Sequence, residues 1–381
     1  MTEPYRHVTD NMPALRIALD IGPLHGHRTG VGVAVDGIAR ALGVRDDVEL
    51  LPYLVSFRAQ PGVGQHRLPM PGMVASHLWS RWNRPDAGRW LAGADLVHGT
   101  NYVAPPTNLA TVVSVYDCWF LEHPQQANAV VRRAGNTLRR AVARGAWVHT
   151  SSEATAVKAR ALLATDRVVT IHLGPPPAPP ALADLPRPAL ASTLAGRPFV
   201  VAIGTEERRK GLPHLVDAFG LLAGELPDAV LVLASAPGDD SKQVVDAIGR
   251  LAVSTRERVV RLGPVDEATK HWLLRQATAL AYPSLDEGFG FPIVEAQSAG
   301  TPVVARRVGA VAEIAGDGAL LVDDGGPAAL ADALGQVLTG GALRLGLVAA
   351  GYDNVNRFAW SSTAEGLVDL YRRVLDSGGR R

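Results

Sequence analysis

Cysteine is almost missing from this chain of 381 residues. The single residue, Cys118, cannot form an intrachain disulfide, so a reducing compartment is its natural setting. Because Cys118 follows an apolar segment, we expect a buried, inert thiol and not a nucleophile. An excess of charge is missing as well, since 38 Lys and Arg residues balance 37 Asp and Glu residues. That balance gives no reason to expect a nucleic acid partner.

Long apolar runs are also absent. No run has the length of a membrane span, and Met1 to Met12 lack the apolar core of a signal peptide. We therefore expect a soluble, cytoplasmic protein. The Trp- and Arg-containing segment 77–90 and the arginines of segment 132–144 leave two interpretations open. They indicate either helices with inward tryptophans and a solvated basic face, or a surface that contacts an acceptor or the inner face of a membrane.

The pattern Asp-x-Asp, with which many metal-dependent enzymes hold a divalent cation, does not occur. The pairs Asp239-Asp240 and Asp323-Asp324 stand at predicted turns, and we expect them to be solvated and not to bind a metal. The sequence therefore predicts neither a metal site nor a cofactor.

What the chain does contain is an alternation of short apolar strands with helical patterns, which predicts an α/β fold with doubly wound parallel sheets. The proline-dense segment 175–188 interrupts the alternation, because such a segment continues neither a helix nor a central strand. We predict two Rossmann-like domains that face a cleft. The predicted bounds are residues 1–174 for the first domain, 175–197 for a linker, 198–357 for the second domain and 358–381 for a C-terminal helix.

The most informative stretch runs from Asp286 to Ala296 and follows the predicted strand Thr278–Tyr282. Its glycines let backbone N–H groups approach a ligand, and Pro292 suits the first position of the next helix. A helix start attracts anions, and Glu287 and Glu295 flank this one. An anion site between two carboxylates fits a ligand with phosphates and hydroxyls, such as a nucleotide sugar. Taken alone, either Glu is better explained as an ordinary acid near a turn.

Two further predicted strands end in glycine loops. The strand Phe199–Ile203 leads into Gly204–Gly211, whose cations form either a solvated basic loop or a diphosphate site. The strand Leu15–Asp20 leads into a loop that ends at Gly30-Val31-Gly32. A dinucleotide site requires Gly-x-Gly-x-x-Gly close to the strand, whereas here the glycine pair comes late and the third glycine is missing. This loop therefore does not predict a dinucleotide cofactor.

The spacing of Glu287 and Glu295 around Gly-Phe-Gly-Phe-Pro resembles the signature of the retaining glycosyltransferases of family 4, which have the GT-B fold. The run Gly-Thr-x-Glu-x-Arg-Lys over 204–210 and the Thr-Gly-x-Gly segment over 29–32 resemble further parts of that family. The resemblance covers nearly the whole chain. It implies that the last helix crosses back to the first domain.

The resemblance also implies roles for individual residues. Arg209 and Lys210 would clamp the donor diphosphate, Glu287 would lie at the donor sugar, and Glu295 would bind the ribose hydroxyls. Further donor-binding positions would be Gly204, Thr205, Gly263, Phe289, Gly290, Phe291 and Val294. The loop near the diphosphate and the acceptor would comprise Gly30, Val31 and Gly32.

Three polar residues, His98, Tyr116 and Asp117, follow predicted strands of the first domain. Ligands gather at the carboxyl ends of strands in open α/β sheets, so these are site candidates, although each alone also fits a satisfied polar residue. The family usually has His-Asp where this chain has Tyr116-Asp117. The front-face substitution proposed for the family tolerates that change, because the leaving phosphate helps to deprotonate the acceptor. We expect Tyr116 to face the donor sugar.

These features predict a metal-independent, retaining hexosyltransferase that moves mannose from GDP-mannose to a hydroxyl of a saccharide or glycoconjugate. Mannose is preferred because both motifs look most like those of mannosyltransferases. The competing hypotheses are a UDP- or ADP-glucose-dependent glucosyltransferase, a nucleotide-sugar epimerase and a catalytically silent nucleotide-sugar-binding partner. The sequence leaves the oligomeric state open.

Overall fold

The computed structural model describes residues 13–25, 29–57 and 62–378. Within these residues, the first sheet has seven strands in the order β3-β2-β1-β4-β5-β6-β7. The strands are β1 (Leu15–Asp20), β2 (Val48–Val55), β3 (His66–Leu68), β4 (Leu96–Gly99), β5 (Ala110–Val115), β6 (Trp147–Thr150) and β7 (Val168–Thr170). The sheet order reverses between β1 and β4, because successive strands are added outward on either side of that pair.

The second sheet has six strands in the described part of the chain, in the order β10-β9-β8-β11-β12-β13. They are β8 (Phe199–Thr205), β9 (Val230–Ala236), β10 (Val259–Arg261), β11 (Ala279–Tyr282), β12 (Val303–Arg306) and β13 (Ala319–Val322). Neighbouring strands are parallel, and the reversal of strand order falls between β8 and β11. Doubly wound sheets bind ligands beyond the carboxyl ends of the strands at such a reversal.

Helices connect the strands of both sheets. They are α1 (Gly30–Gly43), α2 (Gly72–Trp82), α3 (Trp119–Glu122), α4 (Ala129–Ala143), α5 (Glu153–Leu163), α6 (Ala191–Leu194), α7 (Leu212–Glu225), α8 (Ser241–Arg250), α9 (Val253–Arg256), α10 (Glu267–Gln276), α11 (Phe291–Ala299), α12 (Val311–Ala315), α13 (Gly326–Thr339), α14 (Gly341–Val355) and α15 (Trp360–Gly378). In the described ranges no single helix is long and apolar enough to cross a membrane, and only α13 and α14, bent by 96°, meet that test together.

Contacts between residues divide the chain into two compact units. The first unit comprises the described residues up to Ser114, then Ala127–Val148, and the residues from Ala364 onward. The second unit comprises Val115–Gln126 and His149–Thr363. The domain bounds predicted from the sequence stay a prediction.

The core of the second unit lies on both faces of its sheet. Alternate side chains of β8 point to opposite faces, so that Val200 belongs to one apolar cluster and Val201 to the other. The first cluster contains Phe219 of α7 and Leu334 of α13, and the second contains Ile293 of α11. Burial on both faces explains why these strands are continuous apolar runs in the sequence.

The predicted strand Leu15–Asp20 coincides with β1. Other bounds were wrong. The strand predicted over Thr278–Tyr282 begins one residue later, as β11, and the strand predicted over Phe199–Ile203 ends two residues later, as β8. Met1 to Met12 and the last three residues of the predicted C-terminal segment 358–381 lie outside the described residues.

The arginines of segment 132–144 are mostly exposed, as the interpretation of a solvated basic face predicted, but some of them also bind the end of α2. Arg140 donates through Nε and Nη2 to the carbonyl oxygens of Ser80 and Arg81 at 2.9 and 2.8 Å, and Arg144 binds the Asn83 side chain. These donors cap the last carbonyls of α2, which have no partner within the helix. The two tryptophans of α2 differ in exposure, since Trp79 is 3% exposed and Trp82 is 55% exposed. The prediction of inward tryptophans is therefore correct only for Trp79.

Candidate functional site

The centre of the site is the carboxylate of Glu287, which lies just beyond the carboxyl end of β11 and is 6% exposed. Lys210 Nζ is 2.5 Å from Glu287 Oε1, and Arg209 Nη1 is 3.1 Å from Glu287 Oε2. Burial by itself raises the pKa of Glu287, but the charges of Lys210 and Arg209 outweigh it and lower the pKa from 4.5 to about 2. The carboxylate is therefore ionised throughout the physiological range.

The two cations come from the turn that follows β8, the neighbour of β11 at the reversal of strand order. Residues Arg208–Lys210 form a 3-10 turn that ends at Gly211. Gly211 has φ +63°, and a Cβ atom there would lie 2.5 Å from the carbonyl oxygen of Pro283. The two loops are joined further by a 2.6 Å hydrogen bond from Leu285 N to Arg209 O. Backbone packing thus fixes the distance between the cations and Glu287.

The loop over residues 286–290 is held from its other side by residues of the same unit. Ser151 Oγ donates to the carbonyl oxygen of Gly288 at 3.0 Å. A Cβ atom on Gly288 would lie 1.1 Å from the carbonyl oxygen of Tyr116, so only glycine fits there. Gly290 has φ +92° and precedes α11. Since α11 begins at Phe291, Pro292 occupies its second position and not the predicted first.

Glu295 lies in α11 and is buried, and its partner was not predicted. Lys270 Nζ of α10 is 2.7 Å from Glu295 Oε1 and 2.9 Å from Glu267 Oε2. Burial lowers the pKa of Lys270, but the two carboxylates outweigh it and raise the pKa above its usual value. A ligand whose ribose hydroxyls bind Glu295 would share this carboxylate with Lys270.

A second unpredicted ion pair lies directly beside Glu287. Lys158 Nζ of α5 is 3.0 Å from Asp286 Oδ1 and 2.9 Å from Glu122 Oε2 of α3. Burial raises the pKa of Asp286, and the charge of Lys158 opposes this effect without cancelling it. The sequence signal for Asp286 was its place next to Glu287, whereas Lys158 stands on a helix without a motif.

Tyr116 and Asp117 belong to the same unit as Glu287. The Tyr116 side chain is 8% exposed, and its carbonyl group contacts Gly288. Asp117 Oδ1 accepts a 3.2 Å hydrogen bond from Trp119 N at the start of α3. The structure therefore brings these two residues to the glycine loop, while the catalytic roles of both stay predictions.

The remaining donor-binding candidates surround the same sheet edge. Phe289 is buried and its ring lies 5.1 Å from that of Phe291 and 5.5 Å from that of Phe358. Val294 is fully buried in α11. Gly263 follows β10 and has φ +75°. A Cβ atom added to this glycine would have no other atom within 4 Å. Gly204 and Thr205 are the last residues of β8.

The candidates of the first unit are not brought together in the same way. His98 is fully buried, its Nδ1 lies 2.7 Å from the hydroxyl of Tyr371 and its Nε2 lies 2.8 Å from Ser114 Oγ. This geometry fits a satisfied polar residue in the core, and it corrects the prediction of a ligand-facing His98. Gly30, Val31 and Gly32 form the first turn of α1.

Two predictions about single residues have clear outcomes. Cys118 is buried, which confirms the prediction of a buried thiol, and burial raises the pKa of that thiol to about 12. Asp240 is buried at the start of α8, so its predicted solvation was wrong, whereas Asp323 and Asp324 are exposed as expected. No cluster of three or more His, Cys, Asp or Glu residues suited to a metal occurs in residues 13–25, 29–57 and 62–378. Metal independence stays a prediction.

The sheet, the paired cations and the glycine loop all fall in one segment that is similar to known proteins. Residues 197–340 match the family Glycosyl transferases group 1. This match contains β8, Arg209, Lys210, Glu287 and Glu295. It confirms the resemblance to glycosyltransferases, while the finer assignment to family 4 stays a prediction.

Two curated relatives are similar to this chain over about half its length. A phosphatidyl-myo-inositol mannosyltransferase of Mycobacterium leprae is 38% identical over 199 residues, which cover 50% of this chain and 51% of that protein. A D-inositol 3-phosphate glycosyltransferase of Corynebacterium urealyticum is 35% identical over 182 residues, which cover 45% of this chain and 42% of that protein. The chain thus spans about half the length of the curated relatives it matches.

A solved structure is similar over almost the whole chain. The sucrose-phosphate synthase of Thermosynechococcus elongatus superposes with a TM-score of 0.70 at 19% identity, covering 95% of this chain and 100% of that one. At this identity the likeness concerns the fold alone. Together with the two sheets described above, it confirms the predicted GT-B fold class.

Proposed function

We propose that this chain is a retaining glycosyltransferase that moves a hexose from a nucleotide sugar to a hydroxyl of a saccharide or glycoconjugate. The observation that carries the proposal is the pairing of Arg209 and Lys210 with the buried Glu287 at the strand reversal of the second sheet. The group 1 glycosyltransferase match over residues 197–340 supports it. The curated relatives align over only about half their length. Hexosyl transfer by the whole chain is therefore a proposal.

The proposed role of Arg209 and Lys210 is to stabilise the negative charge that develops on the departing diphosphate. Fixed cations stabilise such charge best when they need no rearrangement at the moment of reaction. Glu287 holds both cations in place in the absence of the donor, because each of its oxygens binds one of them. In the proposed reaction Glu287 lies at the donor sugar. The leaving phosphate then helps to deprotonate the acceptor, so no strong protein base is required.

GDP-mannose is the proposed donor. The support is the name of the relative from M. leprae, which is a mannosyltransferase, and the likeness of both motifs to those of mannosyltransferases. UDP-glucose and ADP-glucose are the alternative donors. A nucleotide-sugar epimerase or a silent nucleotide-sugar-binding partner would bind the donor through the same cations.

A donor panel tests this proposal. GDP-, UDP- and ADP-sugars are compared by thermal shift and by release of the nucleotide diphosphate, with and without EDTA. We expect GDP-mannose to give the largest thermal shift and the fastest release, and EDTA to leave the rate unchanged. Stabilisation by a UDP- or ADP-sugar only would contradict the mannose assignment, and a full dependence on a divalent ion would contradict metal independence.

Product analysis distinguishes a transferase from an epimerase and from a silent binder. A transferase yields a new glycoside, and the anomeric configuration of that glycoside, determined by NMR, tests retention. An epimerase changes the sugar without an acceptor. A silent binder shows saturable donor affinity without any turnover.

A cytoplasmic location with peripheral contact at the inner face of the membrane is the proposed setting. The side chains of Met73, Val74 and Trp82 on α2 are exposed and apolar, although Arg140 of α4 binds α2 itself. Co-sedimentation with vesicles that contain phosphatidylglycerol tests this contact. We expect Trp82→Ser to lower the bound fraction, and binding unaffected by Trp82→Ser would contradict a contact through α2.

A further inference from the structure

Two segments that carry predicted site residues meet within the second unit. Tyr116 and Asp117 follow β5, and Glu287 lies on the loop over residues 286–290. A Cβ atom on Gly288 would lie 1.1 Å from the carbonyl oxygen of Tyr116, so the two backbones are in direct contact. We call this place, between Tyr116–Asp117 and residues 286–290, the loop contact. The position of Asp117 relative to Glu287 depends on what holds the loop contact together.

Several carboxylates lie around the loop contact. Asp286 is buried, and its Oδ2 atom has no hydrogen-bond partner among the described residues. Burial raises the pKa of Asp286, and the charges of Asp117 and Glu122 raise it further. Since like charges repel each other, these carboxylates by themselves would push the two segments apart. The other ionisable groups around the contact are Cys118, whose thiol is neutral, and Glu287 with its two cations Arg209 and Lys210.

Lys158 of α5 provides a compensating charge. Its Nζ atom lies 3.0 Å from Asp286 Oδ1 and 2.9 Å from Glu122 Oε2, so one ammonium group joins the loop to α3. The charge of Lys158 lowers the pKa of Asp286, although it does not cancel the effect of burial. The turn before α5 adds a neutral contact to the same loop, since Ser151 Oγ donates to the carbonyl oxygen of Gly288 at 3.0 Å. Helix α5 and this turn therefore bind both segments of the loop contact.

We propose that Lys158 is a positioning residue of the candidate site, because its bridge between Glu122 and Asp286 keeps the two segments of the loop contact in place. The bridge extends to Asp117, whose Oδ1 accepts a 3.2 Å hydrogen bond from Trp119 N at the start of α3, the helix that ends at Glu122. Lys158 acts on these carboxylates and not on a substrate. The inference rests on the proposed function, since it concerns the placement of residues for hexosyl transfer.

Removal of the ammonium group tests the inference by kinetics. We expect Lys158→Met to lower the turnover number about tenfold or more, because small displacements of reacting groups reduce rates strongly. The affinity for GDP, measured by isothermal titration, should stay nearly unchanged, since Arg209 and Lys210 bind Glu287 independently of Lys158. Lys158→Arg retains the charge and should recover most of the turnover. Lys242→Met, which breaks an exposed ion pair of α8 in the same unit, is the matched control and should behave like the wild type.

The pH profile separates this role from a general loss of packing. In Lys158→Met the ionised Asp286 faces Asp117 and Glu122 without the ammonium group, and protonation of Asp286 removes that repulsion. The loss of turnover should therefore be larger at pH 8.5 than at pH 6, when the variant is compared with the wild type at the same pH. A second substitution, Asp286→Asn, should restore part of the turnover of Lys158→Met, because it removes the unpaired charge. A defect of packing alone would be independent of pH and would not be relieved by Asp286→Asn.

Three results would overturn the inference: wild-type turnover in Lys158→Met, a loss of turnover that is the same at both pH values, or a double variant that is no faster than Lys158→Met. Circular dichroism checks the fold of each variant. Lys158→Gln, which keeps a polar side chain, takes the place of Lys158→Met if the latter does not fold.

Hydrogen exchange of the peptide that covers residues 284–292, measured without a donor, separates the inference from the proposed function. We expect this peptide to exchange faster in Lys158→Met than in the wild type, with the larger difference at pH 8.5. If the wild type transfers a hexose and Lys158→Met matches it in rate and exchange, only this inference falls. If the wild type does not transfer while the exchange difference appears, the proposed function falls and the role of Lys158 in holding the loop stands. Without transfer and without an exchange difference, both fall.

Discussion

Lys210 Nζ lies 2.5 Å from Glu287 Oε1, although the two residues are 77 positions apart in the chain. The contact joins the turn after β8 to the loop after β11, which are adjacent at the reversal of strand order. Each cation of the site therefore has a fixed position before a ligand binds. The carboxylate that fixes them is also the group whose charge a bound diphosphate would repel.

Removal of the cations should slow transfer. We expect Lys210→Ala and Arg209→Ala each to lower the turnover number about a hundredfold or more and to weaken donor binding, because a preorganised charge facing the diphosphate is lost. Lys242→Ala, which removes an exposed lysine from α8 in the same unit, is the control and should retain wild-type kinetics. Unchanged steady-state kinetics in both site variants, with circular dichroism showing an intact fold, would exclude the clamp.

The pH dependence of Glu287 has a definite sign. Its folded pKa of about 2 lies below the usual 4.5, so its contribution to stability is complete above pH 4.5 and is lost as the pH falls towards 2. The contribution is on the order of 3 kcal/mol. We expect Glu287→Gln to be less stable than the wild type at pH 7, with a difference that shrinks between pH 4.5 and pH 3. Urea unfolding at these pH values measures the difference in the free energy of unfolding between the variant and the wild type. A difference independent of pH would contradict the ion pairs.

Much of this arrangement could be predicted from the sequence, since it follows from chain order. A short apolar run predicted β1 to the residue, and parallel strands place the loops that follow them at one edge. That is why Arg209, Lys210 and Glu287 could be expected near one another. Side-chain pairings between helices could not be predicted in this way. They depend on how helices pack, and the partners stand at positions without a motif.

Lys158 and His98 illustrate the difference. Lys158 contacts Asp286 across 128 residues of sequence, and nothing in α5 distinguishes that lysine from any other on a helix. His98 stands at a strand end and was predicted to face a ligand. Its two nitrogens bind Ser114 and Tyr371, and the second partner comes from α15 near the end of the chain. A polar residue at a strand end is thus a site candidate only until its partners are known.

Asp20 should show the opposite pH dependence to Glu287. Its folded pKa of about 6 lies above the usual 3.8, so the folded protein binds the extra proton between these values and loses stability as the pH rises through them. We expect Asp20→Asn to be more stable than the wild type at pH 7.5 by about 1–3 kcal/mol and to show no gain at pH 4. Urea unfolding at both pH values provides the measurement. Lower stability of the variant at pH 7.5 would show that the carboxylate has a stabilising partner.

Tyr116 stands where the family that the sequence resembles usually has histidine, and removal of its hydroxyl tests whether the phenol is catalytic. A phenol is a poor base near neutral pH because its reference pKa is about 10. We expect Tyr116→Phe to lose one hydrogen-bond increment, roughly 0.5–1.5 kcal/mol, which corresponds to less than about fifteenfold in turnover number. Steady-state kinetics with the best donor of the panel measure the effect. Complete inactivity with intact donor binding would instead assign proton transfer to the hydroxyl.

Gly288 is the position where the smallest substitution should have a large effect. A methyl group there would overlap the Tyr116 carbonyl oxygen at 1.1 Å, and neither backbone segment can yield without moving the loop that carries Glu287. We expect Gly288→Ala to lower the free energy of unfolding by about 1–3 kcal/mol, as overpacking typically does.

The same displacement should reduce turnover far more than stability, because the distances from Glu287 to Lys210 and Arg209 depend on the loop. Gly346→Ala is the matched control: this exposed glycine lies within α14, a Cβ there meets no atom within 4 Å, and alanine should stabilise the helix by roughly 0.5–1 kcal/mol. Thermal unfolding and donor titration of both variants give the comparison. Wild-type donor affinity and turnover in Gly288→Ala would mean that the contact between the glycine loop and Tyr116 does not position Glu287.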